Sequence, residues 1–485
     1  MSSMSLLLAA AALAPVFGDH CVLQRDRPVA VWGTAAAGEE VSVAFGGSVE
    51  RTRAGADGKW RVDLPPMPAC AEGRDLVVTS TGPERRISDV LVGEVWFLSG
   101  QSNAVCPLWY ERGVHFQDQQ GAVVAQYLDI PTVRFVNSSG RWQRFTPGSL
   151  ADYVHEAGGD QYGFSALGTY FARELHLALG GNVPIGVIGV YSNGTGIDTW
   201  IAPEGYATRD DLEDMRTWRR ISPREWTKES AKGPIVAHHQ QPSVLFEALV
   251  RRWTPWTVRG VLWHQGASNM VDAPRYTAKL HALWNGWSKL FENPSLPFIY
   301  CETSRVDGGV FELARRQIAF SRENPHAAMV ASNDVTLPDV HGQFKEPIAR
   351  RMVLQALRRV YGRADIRSDS PLVVRATASG CRLTVEFSNA RTLYVYNETT
   401  TGRECNLQLA GADGVWRPAK IVNFADRKAG GWASDGYVPE PRLVLEAKGV
   451  EAPVRARYLV KPPLRGNLYN DAALPAFPFE VEIPH

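Results

Sequence analysis

The order of apolar runs between residues 91 and 365 constrains this chain more than any other feature. LVGEVWFLSG, residues 91 to 100, is almost continuously apolar and ends in glycine. Such a run suits a strand buried on both faces, as in a parallel sheet. FSALGTYFARELHLAL, residues 164 to 179, then places apolar residues at helical spacing and stops at Gly180-Gly181. VPIGVIGVYS reads as a second buried strand, PSVLFEALVRRW as a helix and RGVLWHQG as a third strand. YTAKLHALWNGWSKLF follows as a helix and LPFIYCE as a fourth strand. FELARRQIAFSREN, AAMVASND and KEPIARRMVLQALRRVYG continue as helix, strand and helix. This alternation predicts an α/β domain built on a mostly parallel sheet.

The flanks read differently. CVLQRDRPVAVWGTA, EEVSVAFGG, WRVDLPPM and DLVVTST are short β-rich runs separated by Gly, Pro and Asp-Gly signals. After about Ser368 the strands return as LVVRATAS, RLTVEFS, LYVYN, NLQLAG, RLVLEA and RARYLVK. With 485 residues the chain exceeds one ordinary core. The expected domains are a β-rich module over 1–90, an α/β domain over 91–365 and a second β-rich module over 366–485.

Charge narrows the partners. The formal net charge is +1, and no basic run carries interleaved aromatics, which argues against nucleic acid. No apolar stretch reaches the roughly 20 residues of a membrane helix. The opening MSSMSLLLAAAALAP has a short apolar run with no Lys or Arg before it, so it is weak as a secretory signal. The six cysteines form no CxxC pair and fit no zinc spacing, so they read as small hydrophobes, with one disulfide left open. His238-His239 lacks a nearby acidic partner, and no metal is expected.

In open α/β sheets the working groups gather beyond the carboxyl ends of the strands. Here those ends deliver Gln101-Ser102-Asn103, Ser192-Asn193-Gly194-Thr195, His264-Gln265-Gly266 with Asn269, and Asn333-Asp334 followed by Asp339 and His341. These are the parts for acyl transfer. Ser102 is the candidate nucleophile, His341 its base, and Asp339 the group that fixes the imidazole, with Asp334 as an alternative. The Ser102 and Gly194 N–H groups, with a side-chain amide from Gln265 or Asn269, are candidate donors to the oxyanion. Each feature is weak alone, since a serine after a strand usually ends a turn. Four of them at strand ends are a stronger signal. His264, beside Trp263, reads as structural.

The motifs themselves resemble a known family, the sialate O-acetylesterase-like carbohydrate esterases of the SGNH-hydrolase superfamily. FGDHCVLQRDRPVAVWGTA looks like its opening motif, and GEVWFLSGQSN is similar to its nucleophile block. SNGTGIDTW resembles its second block, GVLWHQGASN its W-Y-Q-G-E-S-N block, and DVHGQFK its D-I-H-P-x-x-K block. The resemblance implies a three-layer α/β/α catalytic domain of SGNH type, flanked by β-sandwich-like modules at both ends. It implies a metal-free, cofactor-free serine esterase acting on an acetylated carbohydrate. It assigns Ser102 as nucleophile, His341 as base, and Ser102, Gly194 and Gln265 as the oxyanion hole. Asp339 stands two residues before His341, where SGNH enzymes often place Asp three before. Gln101, Asn103, Asn269 and Trp200 are expected to bind substrate. Trp109, Tyr110, Trp253 and Trp256 are further candidates for a sugar cleft. Export, to the periplasm or outside the cell, is what a glycan-degrading role implies. Ala267 replaces the family's Glu, which leaves a rival reading: a carbohydrate-binding protein with a decayed site. A lipase-like esterase is less attractive because no lid-like amphipathic segment stands out.

Overall fold

A computed structural model of the chain describes residues 11–107, 129–137, 140–145, 164–216, 240–303, 309–335, 341–342, 344–396, 406–425, 436–460 and 465–483. The chain divides into two compact units. The first comprises Met1–Trp263 and His281–Phe298, the second His264–Leu280 and Ile299–His485. Both mix strands and helices, which makes the protein α/β.

The first unit is organised by one strand of 16 residues, Arg85–Gly100. Its burial pattern explains its two roles. Exposed and buried positions are mixed up to Asp89, and from Val90 to Gly100 every residue is buried. The half-exposed part pairs antiparallel with Cys70–Thr79, with Val78 opposite Arg85. Further along, the same strand pairs in parallel with Val22–Gln24, with Leu23 opposite Val92. The fully buried part runs parallel to Ile185–Tyr191, in register from Ile185↔Glu94 to Tyr191↔Gly100. Ile130–Val136 lies parallel on the far side of Ile185–Tyr191, and Trp142–Phe145 closes that edge antiparallel. The sheet is therefore mixed.

The helix Ala166–Ala178 packs on this sheet. Ser165 caps it, its hydroxyl oxygen accepting from the Gly168 N–H at 3.3 Å. Leu167, Tyr170, Phe171 and Leu175 are buried on its apolar face, and Phe171 meets Trp96 edge-on at 5.0 Å. Gly168 permits close approach, since a Cβ there would stand 3.0 Å from both Leu98 and Phe135. The segment read as one helix over PSVLFEALVRRW is wound as a π-turn, Phe246–Val250, and a 3-10 turn, Arg251–Trp253. Pro255 limits its length, because the residue before proline is pushed out of the helical region.

The strand Phe298–Cys301, which enters the second unit at Ile299, neighbours Ala327–Val330, and the Glu302 N–H extends their ladder to the Val330 carbonyl at 2.8 Å. The helices Val310–Glu323 and Lys345–Arg359 belong to this unit. Beyond them an antiparallel sheet of seven strands runs in the order 372–379, 382–388, 442–447, 417–421, 407–410, 455–458 and 479–482. Leu383, Val385, Phe387, Leu445, Tyr458 and Phe479 are in its core. Alternating burial along Arg382–Ser388 shows why the residues that face inward are apolar. Among the described residues no helix is long and apolar enough to cross a membrane.

Candidate active site

The buried strand ends at Gly100, whose φ of +140° is rarely open to residues with a Cβ. The chain turns there, passes through extended Gln101, and enters a four-residue helical turn, Ser102–Val105. The Gln101 carbonyl accepts from the Ala104 and Val105 N–H groups at 2.7 and 3.2 Å. Gln101 and Asn103 are each 3% exposed, whereas Ser102 is half-buried. Of the three residues, Ser102 is the one the turn leaves partly exposed. The Ser102 N–H opens the turn, so no carbonyl within that turn can accept from it.

The next strand brings a second loop to the same rim. Tyr191 is level with Gly100 in parallel register, and the Ser192 N–H donates to the Gly100 carbonyl at 3.2 Å. Residues 192–196 therefore leave the sheet beside the Ser102 turn. Gly194 has φ +64°, and among the described residues, its chain neighbours aside, no atom lies within 4 Å of where its Cβ would be. The Thr195 hydroxyl donates to the Ser192 carbonyl at 2.9 Å and accepts from the Trp200 indole N–H at 3.0 Å. From outside, the Gln240 amide oxygen accepts from the Gly196 N–H at 2.8 Å while its amide nitrogen donates to the Gly194 carbonyl. Sequence reasoning passed over Gln240, which sits 46 residues from Gly194 with no motif to mark it.

Trp200 does not present a sugar platform. It is fully buried, edge-on to Trp263 at 6.3 Å, and its carbonyl accepts from the Trp287 indole at 3.0 Å. Its indole holds the Gly194 loop from within. Trp253 and Trp256 are likewise core residues, packed against each other at 5.8 Å. The correction has one physical cause: a large, mostly apolar indole is as well suited to a dry core as to a cleft. Trp109 and Tyr110 lie outside the described residues, as do His238 and His239.

In the second unit, Gln265 is 0% exposed and its amide is oriented from two sides. Its nitrogen donates to the Asn269 side-chain oxygen at 2.8 Å, and its oxygen accepts from the Tyr276 hydroxyl at 2.6 Å. Asn269, itself buried, is thus a support for Gln265. Gly266 allows a tight passage, since a Cβ there would fall 1.8 Å from the Thr303 hydroxyl. His264 is buried and neither ring nitrogen makes a hydrogen bond to any described residue. Burial, with the Lys345 charge as a second cause, holds its pKa well below the ordinary imidazole value, so the ring is neutral.

His341 is half-buried. The Lys345 ammonium, itself fully buried, donates to the carbonyl of Gly342, the residue after it. Asp339 lies outside the described residues. Asp334 does not suit the role of its substitute. Its carboxylate is held by Arg351 through two bonds of 2.8 and 2.6 Å, and it also accepts from the Tyr469 hydroxyl at 3.2 Å. Glu302, also buried, accepts from the Ser332 N–H and the Asn333 amide at 3.1 and 2.9 Å. Among the described residues no group of three His, Cys, Asp or Glu is placed to hold a metal ion. Cys21 and Cys301 are buried, and burial pushes both thiols up to about 12, which removes them as nucleophiles. Cys405 lies outside the described residues.

Comparison with known proteins agrees with the chemistry of these parts. The profile of a family described as carbohydrate esterases, sialic acid-specific acetylesterases, matches residues 92–352, more than half of the chain. The sialate O-acetylesterase of Rattus norvegicus is 24% identical over 419 residues, covering 73% of this chain and 74% of the rat protein. That of Mus musculus is 23% identical over 466 residues, covering 84% of each. A crystal structure of a carbohydrate acetylesterase from Xanthomonas citri superposes with a TM-score of 0.78 at 25% identity, covering 97% of this chain and 99% of that one. These relatives are named as enzymes, which does not favour the reading of a binding protein with a decayed site. The chain belongs to the carbohydrate esterase family of sialic acid-specific acetylesterases and is a carbohydrate O-deacetylating esterase.

Proposed function

We propose that the enzyme removes acetyl groups from sugar hydroxyls through an acetyl-enzyme formed on Ser102. The Ser102 oxygen attacks the acetyl carbonyl as His341 takes its proton. The oxyanion is met by the Ser102 and Gly194 N–H groups and the Gln265 side-chain amide. As the tetrahedral intermediate collapses, the bond to the sugar oxygen breaks and His341 returns the proton to it. Water, deprotonated by the same imidazole, then releases acetate. Asp339 keeps the imidazole in the right tautomer and stabilises its cation. Gln101, Asn103 and Asn269 act by shaping the loops around the acyl group. The observation that carries this reading is the parallel register of Gly100 and Tyr191, which supports a shared rim for the Ser102 and Gly194 turns.

The substrate class follows the relatives: an O-acetylated sugar, with acetylated sialic acid, xylan and xyloglucan as the candidates to compare. The same reading takes residues 91–365 as a three-layer SGNH-type catalytic domain with a mostly parallel sheet. Residues 1–90 and 366–485 are then β-sandwich-like modules.

Acetate release from 4-nitrophenyl acetate tests the mechanism. Ser102→Ala is expected to lower turnover by at least about 10⁴-fold while remaining folded, and His341→Ala nearly as much, because nucleophile and base act as a unit. Retained turnover in Ser102→Ala removes Ser102 as nucleophile. A chelator is expected to leave the rate unchanged, and inhibition reversed by added metal would overturn the metal-free step.

A further inference from the structure

Glycine populates positive and negative φ with similar ease, so a turn centred on Gly194 has little intrinsic preference for one direction of its N–H. A donor that stabilises an oxyanion acts well only if it is oriented before the charge develops. The inner side of the turn is held by Thr195 and Trp200. Among the described residues, the side chain of Gln240 holds the outer side. Its planar carboxamide accepts from the Gly196 N–H at 2.8 Å and donates to the Gly194 carbonyl, spanning the two peptide groups on either side of Thr195. Neither bond uses the Gly194 N–H, and no described residue beyond its chain neighbours fills the space where a Gly194 Cβ would stand. Fixing the Gly194 carbonyl restricts ψ at the residue whose N–H must be aimed.

We infer that Gln240 is a positioning residue for ester hydrolysis: its carboxamide clamps the 194–196 turn so that the Gly194 N–H points at the forming oxyanion. The inference rests on the proposed oxyanion role of Gly194. It separates two functions within one amide. The oxygen satisfies the turn, and the nitrogen sets the orientation of the glycine.

The experiment compares the full chain with Gln240→Ala, Gln240→Glu, Gly194→Ala and the Gln240→Ala/Gly194→Ala double variant. It uses 4-nitrophenyl acetate as substrate and phenylboronic acid as a tetrahedral probe. Gln240→Ala is expected to lower kcat by about 10- to 100-fold with KM changed less than about twofold, and to weaken boronate inhibition by a similar factor. Gln240→Glu is nearly isosteric and keeps the acceptor for Gly196, but it loses the donor to Gly194 and adds a negative charge. It is expected to fall at least as far, and it carries the test if Gln240→Ala does not fold. The double variant is expected to be little slower than the slower single one, because both act through one N–H. A wild-type kcat in Gln240→Ala or Gln240→Glu overturns the inference, as does a loss confined to KM or losses that multiply in the double variant. If Gly194→Ala itself keeps the wild-type kcat, the oxyanion role of Gly194 fails, and that result is distinct from a silent Gln240.

Discussion

At the scale of single residues, the two carboxylates near His341 in sequence are open to separate tests. Asp334 is 4% exposed and makes a two-pronged pair with Arg351, with Tyr469 as a second partner. Removing one member of such a pair leaves the other charge buried and uncompensated. Asp334→Asn is therefore expected to cost about 3–5 kcal/mol of stability, read from the urea unfolding midpoint. The kcat of the folded fraction should stay near wild type, because both carboxylate oxygens are already engaged in bonds unrelated to His341. Asp339→Asn should show the reverse, with little change in stability and a lower kcat. A kcat that falls with Asp334→Asn would return that residue to the catalytic group. Sequence alone could not show that Asp334 is held by Arg351, since spacing from a histidine does not reveal which carboxylate an arginine has claimed.

At the scale of elements, close approach decides which positions tolerate change. The strand Gly260–His264 begins where a Cβ at 260 would stand 2.7 Å from the Trp96 ring and 2.9 Å from the Pro297 carbonyl. Neither the buried indole nor the backbone can give way cheaply, so Gly260→Ala is expected to cost about 1–3 kcal/mol. Ser165→Ala, which removes the cap of the Ala166–Ala178 helix, should cost about 1 kcal/mol. Thermal midpoints of both variants, against wild type at one pH, check the order. The helices at 166–178, 276–290, 310–323 and 345–359 were legible because their apolar residues recur at helical spacing. The Ile130–Val136 and Trp142–Phe145 hairpin was not read, although NSSG separates its two runs. Arg134 interrupts its apolar pattern, and that guanidinium is buried with one nitrogen paired to Asp89, distant in sequence, at 3.0 Å. The Ser102 and Gly194 turns were legible as glycine-bounded strand ends. Gln240 and the burial of Trp200 were not, because both depend on contacts that no local pattern announces.

At the scale of the whole molecule, 52 basic and 51 acidic side chains leave a formal net charge of +1. Self-repulsion is small near neutrality, so the dependence of stability on pH is set there by individual groups with shifted pKa values. His264 is one. Its folded pKa is lowered well below the ordinary value by burial and by Lys345. The unfolded chain therefore binds a proton at this site that the folded chain refuses. The contribution is fully present above about pH 6.5 and is lost as the pH falls below it, at up to about 1.4 kcal/mol per pH unit for one proton. A second loss sets in lower. Hydrogen bonds from Thr81, Ser80 and Ala36 hold Glu39 down to about 2, and Arg367 with the Arg391 N–H holds Asp471 to about 2 against its own desolvation. Depressed carboxylates stabilise above the ordinary carboxylate range and lose that contribution as the pH falls towards 2. Two acid-labile windows are expected in the unfolding free energy, one beginning near pH 6.5 and one near pH 4. His264→Phe keeps the site apolar and removes its proton, so it should flatten the first window and leave the second unchanged. An unaltered slope between pH 7 and 5 in His264→Phe would mean that the imidazole accepts its proton in the folded chain as readily as in the unfolded one.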